Sequence, residues 1–384
     1  MPEKLKILMV FGTRPEVIKV APVIKEFKKF PKEFACKVCI TGQHRGMIDP
    51  LLELFKIKVD YDLNIMKMDQ SLEHITTAVL KEIGTVIDKE KPDYLIVQGD
   101  TTTAMAASLA AFYKRVKVAH IEAGLRTWNK FHPYPEEVNR KIIDSVSDLF
   151  FAHTDAAKQN LLNEGIDPKT IEITGNTVID ALLDTARHEF SFKGTDLEQV
   201  VAGKRKIILV TAHRRENTGE PILNICAAMK EIAVRFKNEV TFVYPVHLNP
   251  NIKVPVNKML QGVDNIILTA PMDYLPFVHL MKHSYFVLTD SGGLQEEAPS
   301  LGKPVLVMRE TTERPEGVAA GCVEVIGTEK SMVVQKVAEL LQDEGKYTRM
   351  AKAINPYGDG KASQRIVQRF LMECVPVMKN KKLT

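Results

Sequence analysis

Tyr285-Phe286-Val287-Leu288-Thr289-Asp290-Ser291-Gly292-Gly293-Leu294-Gln295-Glu296-Glu297 passes from an apolar run through a Gly-rich turn into a helix-forming segment. The apolar part reads as a buried parallel strand. At the start of the helix several backbone N–H groups lack intrahelical partners, so Ser291, Gly292 and Gly293 form an anion site suited to phosphate. Glu297 lies about one turn further on. A carboxylate so near a phosphate is repelled unless it serves a neutral diol such as a ribose. Strand, phosphate turn and diol acceptor together predict a nucleotide, joined to something else, on an α/β domain. The competing reading of this segment alone is an ordinary strand–turn–helix with glycines for tight packing.

Outward from this stretch, strand-length apolar runs alternate with amphipathic helix-length segments along the whole chain, which predicts parallel α/β sheets. The clearest strands of the first half are Lys6–Phe11, Lys37–Thr41, Tyr94–Gln98, Val116–Ile121 and Leu149–Ala152. Those of the second half are Lys206–Thr211, Thr241–Tyr244, Ile266–Leu268, Tyr285–Thr289 and Val305–Val307. The polar stretch Ser191–Arg205 is the expected domain linker. The two halves open alike, with Leu5–Phe11 leading into Gly12-Thr13-Arg14-Pro15-Glu16 and Lys206–Thr211 into Ala212-His213-Arg214-Arg215-Glu216. The expected architecture is two doubly wound domains facing across a cleft: 1–175, rejoined by a C-terminal helix over 366–384, and 176–365.

A chain of 384 residues has room for two such cores. A net charge of +4 without a long basic block argues against nucleic acid as a partner. No apolar run reaches membrane-span length, and the first strand begins too soon for a signal peptide. Five scattered cysteines are expected to be free thiols of a reducing cytoplasm. Cys36 and Cys39 have redox-motif spacing but fall in a strand-like stretch, so packing is their expected role.

Five apolar strands run straight into charged or reactive residues at their C-terminal ends: Arg14, Asp100, Glu122, His213 and the Asp290 turn. Ligands of open α/β sheets bind at those ends, so one crevice is expected to gather all five. Asp100 and Thr101 would also serve as an N-cap for the Ala-rich helix that follows. Pro135 starts a helix that sets Glu136 and Arg140 four apart on one face, predicting a carboxylate oriented by its own guanidinium or a surface ion pair. There is no G-x-G-x-x-G, no Walker loop, no H-E-x-x-H and no G-x-S-x-G. His279 and His283 lack an acidic companion and read as packing residues. The chemistry left is acid–base and electrostatic, from carboxylates, His213 and arginines.

The chain resembles the bacterial non-hydrolysing UDP-N-acetylglucosamine 2-epimerases over essentially its whole length. The matching segments are Gly12–Glu16, Gln98–Thr103, His120–Thr127, Pro135–Arg140, Thr211–Asn217, Asp290–Pro299 and Glu313–Glu316. The resemblance implies the GT-B fold, two Rossmann-like domains with the active site between them, and a homodimer. It also implies interconversion of UDP-GlcNAc and UDP-ManNAc without cofactor or metal, in the service of cell-surface polysaccharide synthesis. The implied route eliminates UDP to give 2-acetamidoglucal, then adds UDP back with a proton on the other face of C2.

By motif position the resemblance makes Asp100, Glu122, Glu136 and His213 catalytic. Asp100 and Glu122 would transfer the C2 protons, Glu136 with Arg140 would tune the acids, and His213 would serve the leaving diphosphate. Arg14, Lys19, Ser291, Gly292, Gly293, Glu297 and Arg314 match substrate contacts, and Phe277 lies where relatives place the uracil, although Met272 replaces a glutamine seen in some. Gln43, His44 and Gln70 match an effector site for a second UDP-GlcNAc. Gly46 and Asp69 replace a glutamine and an arginine there, so weak or absent activation is expected. The rival readings are a 2-epimerase of a UDP-2,3-diacetamido uronic acid, a GT-B glycosyltransferase, a hydrolysing epimerase and a catalytically inert sensor.

Overall fold

The computed structural model describes residues 4–42, 45–65 and 70–380. The chain divides into two compact units, Met1–Ala181 with Gly358–Thr384, and Leu182–Tyr357. The first holds a seven-stranded sheet of β1 (Leu5–Phe11), β2 (Phe34–Ile40), β3 (Tyr61–Asp62), β4 (Tyr94–Gln98), β5 (Lys117–Ala123), β6 (Leu149–Ala152) and β7 (Ile171–Ile173), in the order β3-β2-β1-β4-β5-β6-β7. The second holds six strands, β8 (Lys206–Thr211), β9 (Val240–Pro245), β10 (Ile266–Thr269), β11 (Phe286–Thr289), β12 (Val305–Val307) and β13 (Val323–Val325), in the order β10-β9-β8-β11-β12-β13.

Neighbouring strands in both sheets run parallel. Helices on the two faces explain why β4, Tyr-Leu-Ile-Val-Gln, is buried along its whole length. In the first unit Leu8, Val10, Leu95 and Val97 pack with Val79 and Ile83 of the helix Leu72–Glu90. In the second, Ile208, Val210, Phe242 and Tyr244 pack with Ile225 and Met229 of the helix Glu220–Arg235. Strand order reverses between β1 and β4 in one sheet and between β8 and β11 in the other. These are the topological switch points, where the ends of two adjacent strands splay and a ligand can enter.

The C-terminal helix Ala362–Asn380 belongs to the first unit. Asp180 takes up its first backbone N–H groups, from Ala362 at 3.1 Å and Ser363 at 2.8 Å. Phe370 inserts among Phe27, Tyr94 and Phe151, with ring centroids 5.4, 5.1 and 5.8 Å away.

Three short strands, β3, β7 and β13, were not expected from the sequence; with two or three residues each they carry too little pattern to read. Ser191–Arg205 does not link the units. It lies inside the second, and the chain crosses at Ala181/Leu182 within the helix Thr177–Thr185 and returns at Tyr357/Gly358. Cys36 and Cys39 sit on β2 as free thiols, each pushed up to about 12, chiefly by burial. Among the described residues no helix is long and apolar enough to cross a membrane.

Candidate active site

In the first unit, the site begins at the β1–β4 switch point. A Cβ at Gly12 would stand 2.1 Å from Thr41 Oγ1 and 2.9 Å from Thr103 Oγ1, so no other residue fits this close approach. Glu16, almost wholly buried, joins the two strand-end turns. Its Oε2 accepts from the Gly12 and Thr13 N–H groups at 3.0 and 2.7 Å, and its Oε1 accepts from the Thr101 hydroxyl at 2.8 Å. Burial pushes the Glu16 carboxyl up against the opposing pull of those hydrogen bonds. Arg14 opens the helix Arg14–Phe27, which also carries Lys19.

Asp100 follows β4. Arg140 Nε and Nη2 contact its Oδ2 at 2.8 and 2.7 Å, and Asn139 Nδ2 donates to its carbonyl at 2.9 Å. Arg140 Nη1 donates to Glu137 Oε2 at 3.1 Å. Glu137 is fully buried and also accepts from the N–H groups of Thr127 and Trp128 at 2.9 and 3.0 Å. The expected pairing of Arg140 with Glu136 is therefore corrected: the guanidinium joins Asp100 to Glu137. Arg140 and Glu137 occupy the buried side of the helix Glu136–Val146, whereas Glu136 opens its first turn half-buried.

Glu122 sits near the end of β5, where the register with β6 shifts between Ile121 and Ala123. Its φ of 68° is in the left-handed region, which costs a non-glycine residue about 1–3 kcal/mol. Gln98 Nε2 donates to its carboxylate at 2.5 Å and the Lys19 ammonium pairs with the same oxygen. Lys19, expected to touch substrate, is thus placed on Glu122.

Behind these acids lies a buried polar network. His120 Nδ1 is 2.6 Å from Asp144 Oδ1 and its Nε2 is 2.7 Å from the Gly99 carbonyl. Arg126 Nη2 donates to Asp144 Oδ2 at 2.6 Å and to Glu164 Oε2 at 2.5 Å, while its Nε donates to Glu164 Oε1 at 2.8 Å. Burial alone would raise the Asp144 carboxyl; the charges and hydrogen bonds of His120 and Arg126 outweigh it and hold Asp144 below the usual carboxylate range.

In the second unit, Asp290 organises the β8–β11 switch point. It is fully buried, and its Oδ2 accepts from the His213 and Arg214 N–H groups at 2.7 and 2.8 Å and from Asn217 Nδ2 at 3.0 Å. Its Oδ1 lies 3.3 Å from His213 Nδ1, and the His213 ring stacks on His247 with centroids 5.6 Å apart. Burial pulls His213 below its ordinary value; Arg214 and His247 add to this and Asp290 opposes it.

Ser291 is the N-cap of the helix Gly292–Ser300 and makes no side-chain cap, so the first N–H groups of the helix keep their capacity for an anion. A Cβ at Gly292 would meet only the Arg214 Nη2, at 3.4 Å. Glu297 Oε1 accepts from the Tyr274 hydroxyl at 2.9 Å. Phe277 lies half-buried on the same helix as that tyrosine, Tyr274–His283. Arg314 pairs with Glu296 and donates to the Glu313 carbonyl at 3.2 Å. His279 packs on Phe190 and His283 on Phe192, in keeping with packing roles.

Of the effector residues, Gln43 and His44 lie outside the described residues, as does Asp69, while Gln70 is half-buried. Sequence reasoning passed over Glu16, although Thr13 and Glu16 have capping-box spacing. It also passed over Gln98, Asp144 and Arg214; nothing in their local sequence signals a partner on another strand or helix.

A family model described as UDP-N-acetylglucosamine 2-epimerase matches residues 25–371. The UDP-N-acetylglucosamine 2-epimerase of Salmonella typhimurium is 51% identical over 373 residues, covering 95% of this chain and 98% of that protein. Its counterpart in Escherichia coli K12 is 50% identical, covering 95% and 98%. The crystal structure of the Neisseria meningitidis UDP-GlcNAc 2-epimerase bound to UDP-GlcNAc is similar at a TM-score of 0.87 and 50% identity, covering 96% of this chain and all of that one. The two parallel-sheet units of this chain are Rossmann-like and of the GT-B type. With a family model over most of its length and relatives at half identity over nearly all of theirs, this chain belongs to the UDP-N-acetylglucosamine 2-epimerase family.

Proposed function

We propose that the chain interconverts UDP-GlcNAc and UDP-ManNAc. The observation that carries this is a pair of carboxylates, Asp100 and Glu122, at the ends of adjacent strands and each fixed by its own cation, Arg140 or Lys19. Inverting a carbon requires a proton to leave one face and arrive at the other, and two fixed acid–base groups supply that. The C2 proton of a hexosamine has no adjacent carbonyl to acidify it. The proposed path therefore lets the anomeric C–O bond break toward the diphosphate as one carboxylate takes the C2 proton, forming a C1–C2 double bond. The other group, entering the step as its carboxylic acid, then gives its proton to C2 from the opposite face as the diphosphate oxygen returns to C1, and exchange with solvent restores both groups.

The second unit supplies what the leaving group needs. The uncapped helix start at Ser291–Gly293 and the Arg214 guanidinium beside Gly292 suit a diphosphate. Glu297 on Tyr274 suits a ribose diol, and Phe277 a uracil face. His213, pulled below its ordinary value chiefly by burial, positions the sugar or the departing phosphate. The test is incubation with UDP-GlcNAc in D2O with NMR at C2. Deuterium at C2 accompanied by UDP-ManNAc is expected. Free sugar, or no reaction until an acceptor is added, would defeat the reading.

A further inference from the structure

We propose that His120 is a buried imidazolium whose two N–H groups lock the Gly99–Asp100 turn, which makes it a positioning residue for Asp100. Each ring nitrogen faces an oxygen: Asp144 Oδ1 at 2.6 Å and the Gly99 carbonyl at 2.7 Å. A peptide carbonyl has no proton to give, so Nε2 donates. At Nδ1 the shared proton belongs either to the ring or to Asp144. Arg126 Nη2 already holds the other Asp144 oxygen at 2.6 Å, which favours the carboxylate and leaves the proton on the ring. Both nitrogens then donate, as only the cation can.

The charges facing the ring agree. Asp144 comes from the helix Glu136–Val146, Arg126 from the segment after β5, and Glu164 from the end of the helix Asp155–Asn163. Glu122, two residues along β5, is held separately by Lys19 and Gln98. A charged His120 sets two cations against Asp144 and Glu164. A neutral ring would leave those two anions one guanidinium between them, with Asp144 and the Arg126 side chain out of water.

The consequence falls on Asp100. Gly99 has φ +71°, and its N–H donates to the Ile121 carbonyl at 2.9 Å. His120 holds the carbonyl at its other end, in the peptide group that leads into Asp100. Asn139 and Arg140 hold Asp100 itself. A charge-assisted bond at the Gly99 carbonyl is roughly twice as strong as a neutral one. It fixes the plane from which the carboxylate projects.

This inference rests on the reading of Asp100 as a proton-transfer group, but its first test does not. In full-length protein labelled with 15N-histidine, long-range 1H–15N spectra are recorded at about pH 7.5, a unit above the ordinary histidine value near 6.5. One histidine is expected with both nitrogens protonated and slowly exchanging, its signal absent from His120→Gln. No doubly protonated histidine at that pH overturns the proposal without any variant. In kinetics, His120→Gln is expected to lose about 10- to 100-fold in kcat at unchanged KM. Parental kcat in a folded His120→Gln also overturns it. Asp100→Asn, run in parallel, separates the readings: if it stays active the role of Asp100 fails, whatever the state of the ring. If it is inactive while His120→Gln is fully active, only the His120 proposal falls.

Discussion

Asp100 is held through its carboxylate, its own carbonyl and the carbonyl before it, which is the restraint a proton-transfer group needs. Replacing it with asparagine keeps most of that geometry and removes the acid–base function proposed for it. Asp100→Asn should lower turnover and C2 exchange by about 10²- to 10⁴-fold, with UDP affinity measured by calorimetry nearly unchanged. The corrected partner of Arg140 gives a second residue-level prediction. Glu137→Gln breaks a buried pair and should cost about 3–5 kcal/mol in urea unfolding. Glu136→Gln should cost less than about 1 kcal/mol and act on turnover instead; equal losses would return Arg140 to Glu136. His213 adds a pH prediction. Its pKa is depressed, chiefly by burial, so the unfolded chain protonates first, and this residue's stabilising contribution falls as pH drops from about 6.5 toward the folded value. An acid limb of kcat/KM due to His213 should therefore lie below pH 6.5 and vanish in His213→Asn; a limb above that value would contradict it. The candidate chemical residues stand out in the sequence, because charged side chains directly after apolar strands have few structural reasons to be there. Their partners do not. Spacing along one helix offers Arg140 a choice between Glu136 and Glu137, and only packing selects the inner one.

At the scale of elements, candidate residues leave the strands at the two switch points. Gly12–Glu16 and Gly99–Asp100 leave adjacent strands β1 and β4, as do His213 and Asp290 from β8 and β11. The long central strands could be read from sequence because a strand buried on both faces is apolar throughout. The short edge strands β3 and β13 offered too few residues for any pattern. Glycines at the two switch points serve opposite ends, and this can be tested. At Gly12 the space is filled by protein, so Gly12→Ala forces Thr41 and Thr103 aside and should destabilise by about 1–3 kcal/mol. At Gly292 the space is open apart from one guanidinium atom, so Gly292→Ala should fold with near-parental stability yet weaken UDP binding about tenfold or more by filling the cradle. Thermal unfolding and UDP titration of the two variants decide it. A Gly292→Ala protein that binds UDP normally would remove the helix start from the diphosphate site.

At the scale of the whole molecule, the chain makes two cores but threads the first one twice. The polar stretch Ser191–Arg205 looked like a linker because polarity and glycines usually mark one. The real crossing lies inside the apolar helix Thr177–Thr185, where composition has no reason to change. What returns the C-terminus to the first unit is a specific fit: Asp180 on the N–H groups of Ala362 and Ser363, and Phe370 among three aromatic rings. Phe370 is fully buried, so Phe370→Ala should cost about 3–5 kcal/mol, and the loss should fall on the first unit. The single tryptophan, Trp128, reports that unit, while UDP binding, proposed to fall on Ser291–Gly293, reports the second. In Phe370→Ala the Trp128 transition should move to lower denaturant while UDP binding persists at concentrations where C2 exchange has already gone. Saturating UDP should then stabilise the second unit further without restoring the Trp128 transition. If both signals moved together by the same amount, the last helix would be a fastener for the entire chain and not a part of the first core.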